Sequence, residues 1–231
     1  MDYPKDSYSL FLPILNFNEV YIMERTISPT VSKLGYWSAF FASLFSIIYI
    51  IGQFAEWINL LGSGGGPENA STALGLIVLL IPSLLLAPSF VLLMLCVHYY
   101  APESKKVWSH AGVIFATIYA VMVSINYYVQ LSLVVPHLMR GETESIRLFL
   151  FTPFDSFIYS VDVLGYSFMS LSTLFAAFVF TGTGLEKTAR RFLIANGFLI
   201  PFLLLQIYYH PLIWPRHYGQ LRSRVLQLLW L

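Results

Sequence analysis

The chain has 231 residues, of which 57% are hydrophobic and only 11% charged, and its mean hydropathy is +0.69. A soluble domain averages roughly 45 to 50% apolar and about 25% charged residues, so a water-soluble fold of this size would have to spread apolar side chains over its surface, and the composition excludes it. A net charge of +1 leaves no case for nucleic acid, whose phosphates need clustered lysine and arginine.

In chain order, residues 1–34 are polar enough to lie outside a bilayer or along its surface. The opening MDYPKDSYSLFLPILNFNEV carries only a short apolar patch, broken by Pro13, and does not read as a signal peptide. The first span is therefore expected to serve as its own insertion signal. A span needs about 20 predominantly apolar residues, and five segments within residues 35–214 qualify. The first runs from about Trp37 to Leu61. The second, about Thr72 to Tyr99, is the most apolar, and Pro82 and Pro88 are expected to kink it. The third runs from Val107 to Val135 and is expected to end at Pro136. The fourth starts after Pro153 and continues to Phe180, with Gly182 and Gly184 as stop signals. The fifth runs from Phe192 to about Ile213 and contains Pro201. Residues 215–231 mix Arg222 and Arg224 with leucines and read as an interfacial amphipathic segment.

This pattern predicts an all-α integral membrane protein, a single bundle of about five transmembrane helices joined by short loops. Tyr36, Trp37, Tyr99, Tyr100, Trp108 and Trp214 sit near span ends, as an interfacial aromatic belt requires. Lysine and arginine number eight on the side of the N-terminus and five on the other, which predicts a cytoplasmic N-terminus. The single cysteine, Cys96, lies in an apolar run and rules out an internal disulfide.

Chemistry is expected where polar residues enter the spans. Seven helical residues advance about 700°, so Asp155 and Asp162 would share a face about 10 Å apart. Tyr159, Tyr166, Ser170 and Thr173 continue that stripe, while Phe157, Val161, Leu164 and Phe168 occupy the opposite face. The first helix aligns Tyr49, Gln53, Glu56 and Leu60. The third aligns Tyr119, Asn126 and Gln130, with His137 at its end, and the fifth places Gln206 and His210 one turn apart. Because the helices alternate in direction, all of these fall toward the same side of the membrane, extracytoplasmic on the charge count.

A carboxylate near mid-span costs about 2.5 to 3.5 kcal/mol on insertion scales, and none of the expected spans contains lysine or arginine. Glu56, Asp155 and Asp162 therefore need amides, hydroxyls, histidines, water, a metal ion or a ligand. The expected ligand-binding set is Glu56, Asn126, Gln130, Asp155, Tyr159, Asp162, Tyr166 and Gln206, lining a polar pocket. For each the structural alternative is plain: Asp155 following Pro153 suits a helix N-cap, Glu56 can reach the headgroup layer, and the amides can simply bond between helices. A metal set of His137, His210, Asp155 and Glu56 has no supporting motif such as HExxH, and no cofactor is indicated.

The run Gly62, Gly64, Gly65 and Gly66 lacks the lysine of a phosphate loop. Asn69, Ala70 and Ser71 form a glycosylation sequon. No nucleophile elbow or haem motif occurs. The leading expectation is a membrane protein that binds a small molecule or lipid headgroup for sensing or transport, with membrane lipids and a homo-oligomer as partners. Two others stand beside it: a membrane-embedded enzyme acting on a lipid or isoprenoid, with Asp155 and Asp162 as acid and base, and an accessory subunit of a larger membrane complex.

Overall fold

The structure, a computed structural model, describes residues 28–65, 70–151 and 156–198. These residues contain helices and turns and no strand. Six α-helices follow one another: α1 (Pro29–Trp57), α2 (Ala73–Tyr100), α3 (Lys106–Val129), α4 (Val135–Met139), α5 (Phe157–Ala177) and α6 (Leu185–Gly197). A π-turn over Gln130–Val134 joins α3 to α4 without a break, and short 3-10 turns occupy Glu103–Lys105 and Glu144–Phe149.

Among the described residues four stretches are long and apolar enough to cross a membrane: Pro29–Trp57, Ala73–Tyr100, Glu103–Met139 and Phe157–Ala177. The chain is an all-α, multi-pass membrane bundle. The expected fifth span coincides with α6 only at its start. Its remainder, with Pro201, Gln206 and His210, lies outside the described residues, as do residues 1–27 and the C-terminal segment 215–231.

Several boundaries differ from expectation for local reasons. Helix α1 opens at Pro29, where a proline ring preset near helical φ costs no hydrogen bond, so residues 29–34 are helical. It closes at Trp57, and Asn59 turns the chain with φ of 64°, which leaves Leu60 exposed beyond the helix. Pro136 does not end the third span. The Val135 N–H reaches back five residues to the Gln130 carbonyl, and this widened turn carries the helix through the proline to Met139. Helix α6 starts seven residues before Phe192, at Leu185. Gly184 takes φ of 60° there, and the Gly182 N–H donates to the Glu186 carboxylate at 2.7 Å. Helix α2 runs unbroken through both Pro82 and Pro88.

Packing is antiparallel and sequential. Helix α1 packs on α2, α2 on α3, α3 on α5 and α5 on α6. Small residues set the distances, as expected where lipid is as apolar as leucine and close backbone approach must supply the attraction. A Cβ on Gly52 of α1 would meet Val78 and Leu79 of α2 at 3.1 and 3.3 Å, and one on Gly35 would touch Cys96. Val78 is also the residue whose carbonyl Pro82 leaves without its helical donor. Along the α3–α5 seam, a Cβ on Gly112 would meet the Ser172 carbonyl at 3.3 Å, and one on Gly165 would meet Val123 at 3.0 Å. The Ser172 hydroxyl crosses the same seam and donates to the Gly112 carbonyl at 2.7 Å. The core between α2, α3 and α5 holds Leu79, Phe90, Met94, Tyr119, Val123 and Ala176. Phe40, Ile47, Ile51, Phe54 and Ile58 of the first helical region remain exposed, an outer surface suited to hydrocarbon.

Candidate functional site

The polar residues of α3 and α5 meet toward the end of the bundle formed by the C-terminal part of α3 and the N-terminal part of α5. The Asn126 side-chain nitrogen donates to the Asp162 carboxylate and to the Ile158 carbonyl, each at 3.3 Å. Ile158 and Asp162 are one turn apart on α5, so a single amide grips both rungs of that turn. Next to it the Tyr127 hydroxyl donates to the Tyr166 hydroxyl at 3.0 Å. Tyr119 lies against Tyr166, with ring centroids 5.6 Å apart, and its other edge packs on Phe90. One turn beyond Asn126, the Gln130 side-chain nitrogen donates to the Phe149 carbonyl at 2.5 Å, fastening the connection ahead of α5 to the π-turn.

Helix α1 contributes Tyr49, whose hydroxyl donates to Gln53 at 3.2 Å. Tyr49, Tyr119, Tyr127 and Tyr166 all lie within electrostatic reach of Asp162, and Tyr49 also within reach of Tyr159. Asp162, Tyr49, Tyr159 and Tyr166 are partly buried, whereas Asn126 and Gln130 are buried at 2% and 0% exposure. Among the described residues nothing positively charged is a partner of Asp162, and the ion pairs fall elsewhere.

Donors and acceptors do not balance. The nitrogens of Asn126 and Gln130 are both engaged, while their side-chain oxygens are buried without a hydrogen-bond partner, as is the Tyr119 hydroxyl. Since most buried polar side-chain atoms in proteins have a partner, two unpartnered amide oxygens against one unpartnered hydroxyl, with the Asp162 carboxylate alongside Asn126, are the chemical signature of the cluster.

Of the expected ligand-binding set, Asn126, Asp162 and Tyr166 are brought together, with Gln130 one turn away and Tyr159 on the same stretch of α5. Glu56 takes a different position. It is buried, at 4% exposure, against the first turn of α2, and its two oxygens, which have no hydrogen-bond partner, lie 2.7 and 2.8 Å from where a Cβ on Gly75 would stand. That turn is capped by the Thr72 hydroxyl, which accepts from the Gly75 N–H and donates to the Leu61 carbonyl. The open end of a helix carries partial positive charge, which favours a carboxylate there. Gln206 and Asp155 lie outside the described residues. The cap expected at Asp155 belongs to Ser156, whose hydroxyl accepts from the Tyr159 N–H at 3.1 Å. Helix α5 opens at Phe157.

The expected metal set is not assembled among the described residues, where no group of three or more ligating side chains occurs. The His137 ring nitrogen Nδ1 contacts the Leu133 carbonyl at 2.8 Å, and Nε2 lies 3.8 Å from Glu142, which Arg140 pairs at 3.0 Å. His210 lies outside the described residues.

Tyr127 is the site residue that sequence reasoning missed. It sits beside an identical residue, yet Tyr127 is buried and Tyr128 exposed. The signal was present: Tyr119, Val123 and Tyr127 form an i, i+4, i+8 row, the spacing of one helix face. Tyr49 was legible as a member of the α1 stripe, but not its electrostatic reach to Asp162. The class of the protein is thus a multi-pass helical membrane protein with an acceptor-rich polar cluster inside the bundle. Comparison with family models, with curated proteins and with solved structures finds no significant match.

Proposed function

We propose that the protein binds a small molecule or a lipid headgroup at the Asn126–Asp162 cluster, reached between α1 and α5, for sensing or transport. The observation that carries this reading is the buried acceptor surplus: Asn126, beside the Asp162 carboxylate, and Gln130, one turn further along α3, each leave an oxygen unpartnered in an apolar bundle. Such groups are costly in hydrocarbon and default to functional roles. Access is argued from packing. Helix α1 packs along α2 without a comparable contact to α5, and the partly exposed members of the cluster, Tyr49, Tyr159, Asp162 and Tyr166, belong to those two helices. On the lysine and arginine count this end of the bundle faces away from the cytoplasm, with the N-terminus inside. Transport by so small a bundle implies a homo-oligomer.

The test is native mass spectrometry of the protein extracted gently from its own membrane, with Asp162→Asn treated identically. A co-purifying small mass on the wild type that is absent from the variant is expected. A chain that carries no such mass and travels only with a second protein would sink the reading and make the stripe a docking face.

A further inference from the structure

Each group in the cluster restricts what can bind there. The amide nitrogens of Asn126 and Gln130 already donate to protein oxygens, and so does the Tyr127 hydroxyl. What remains is chiefly acceptor capacity, the carboxylate of Asp162 and the side-chain oxygens of Asn126 and Gln130, set against one unpartnered hydroxyl, that of Tyr119. A ligand that completes the cluster must therefore bring donors, and one that balances Asp162 must bring positive charge. Among the described residues an anion would find no lysine or arginine there: Lys33 and Lys106 belong to the other end of α1 and α3, and Arg140 and Arg147 are exposed on the connection to α5.

Two kinds of cation remain. A hard metal ion takes about six or more oxygens, and with three acceptor groups here it would have to keep several waters inside an apolar bundle. An ammonium needs few acceptors, and it gains from aromatic faces within about 6 Å. Here Tyr127 and Tyr166 are hydrogen-bonded to each other next to the Asn126–Asp162 pair, Tyr119 packs on Tyr166 and Phe151 lies beside Tyr127, while Tyr49 is within electrostatic reach of Asp162. We propose that the ligand is a primary or secondary ammonium group, its N–H bonds directed at Asp162 and the Asn126 oxygen and its charge held against the tyrosine rings. This rests on the ligand-binding reading above and specifies its chemistry. A quaternary ammonium keeps the charge but lacks the donors, so it is the discriminating comparison.

The same headgroup chemistry occurs on a free amine and on an aminophospholipid, and the experiment separates them. The full chain is held in an amine-free, non-ionic detergent, and its thermal midpoint is titrated at fixed ionic strength with ethylammonium, tetramethylammonium, sodium and phosphate. Ethylammonium is expected to raise the midpoint saturably, with tetramethylammonium at least tenfold weaker. Asp162→Asn should abolish the response, and Tyr49→Leu should weaken it at least fivefold while Tyr49→Phe retains it. In parallel, the co-purifying mass is tested by reductive methylation, which adds mass only to primary and secondary amines. A phosphatidylethanolamine mass names the lipid source, and a small reactive mass names the free amine; either supports the proposal.

A response to sodium or phosphate equal to that of ethylammonium overturns it. A co-purifying mass that is lost in Asp162→Asn but carries no reactive amine overturns the ammonium while leaving the binding reading in place. Absence of any bound mass together with no response to any probe overturns both.

Discussion

Asn126 and Asp162 meet across the α3–α5 seam at 3.3 Å, and the same amide nitrogen holds the Ile158 carbonyl one turn earlier on α5. The contact thus ties a side chain and a backbone rung to one residue. Replacing Asn126 by leucine removes both bonds and leaves Asp162 beside an apolar group. Hydrogen bonds between membrane helices average about 0.6 kcal/mol and reach about 1.7 kcal/mol. Adding the cost of the abandoned carboxylate, Asn126→Leu should destabilise by about 1 to 3 kcal/mol in reversible unfolding from mixed micelles. The double variant Asn126→Leu with Asp162→Leu should recover most of that loss, since removing both partners is far cheaper than removing one. Equal losses in the single and double variants would refute the pairing.

The two seam glycines should differ in tolerance. A Cβ at position 112 would press on the Ser172 carbonyl, which is backbone, whereas one at 165 would press on a methyl of Val123, which can turn aside. Gly112→Ala should therefore cost about 1 to 3 kcal/mol, as overpacked cores do, and Gly165→Ala less. Thermal midpoints of the two variants in one detergent decide the order, and a reversed order would show the α3–α5 approach to be wrong.

Glu56 and Gly75 form a lock between α1 and α2. The missing side chain at 75 is the space that the carboxylate fills. Gly75→Ala should destabilise by about 1 to 3 kcal/mol, and Glu56→Ala introduced on top should restore part of the loss by vacating that space. A double-mutant cycle should yield a coupling above about 0.5 kcal/mol. Strict additivity would mean that the carboxylate does not occupy that position.

Tyr127 and Tyr166 share one hydrogen bond. Tyr127→Phe should cost about 1 kcal/mol, Tyr166→Phe a similar amount, and the pair together no more than the larger single loss. Chemical denaturation of the three variants reads this directly, and a double variant as costly as the two losses combined would place the hydroxyls apart.

How much of this was legible beforehand depends on the range of the interaction. Runs of about 20 apolar residues identified the spans because hydrocarbon thickness dictates their length, and helical spacing alone aligned Tyr119, Asn126 and Gln130. Both signals are local. Helix ends were read less well: Pro29 and Pro136 punctuate in opposite ways, one opening a helix and the other absorbed within one, and the outcome depends on whether a widened turn is available to it. Seams were not legible at all. That Gly75 faces Glu56, or that the Asn126 nitrogen reaches Ile158 as well as Asp162, is set by the rotation of one helix against another, which no single helix records. The N-cap of α5 fell one residue from the expected acid, because the Ser156 hydroxyl caps the helix.

The π-turn at Gln130–Val134 makes chain length itself a variable. A turn closed by the Val135 N–H on the Gln130 carbonyl holds one residue more than an ordinary turn. Deleting a single residue there, at Ser132 for instance, lets the turn close as a regular α-turn while α3 and α4 keep their directions on either side. Elsewhere in a span the same deletion would swing every later side chain by about 100°. Among related chains, a one-residue gap in this region is therefore the length difference that the backbone can absorb, and its presence or absence marks whether the Gln130 side chain still reaches the connection to α5.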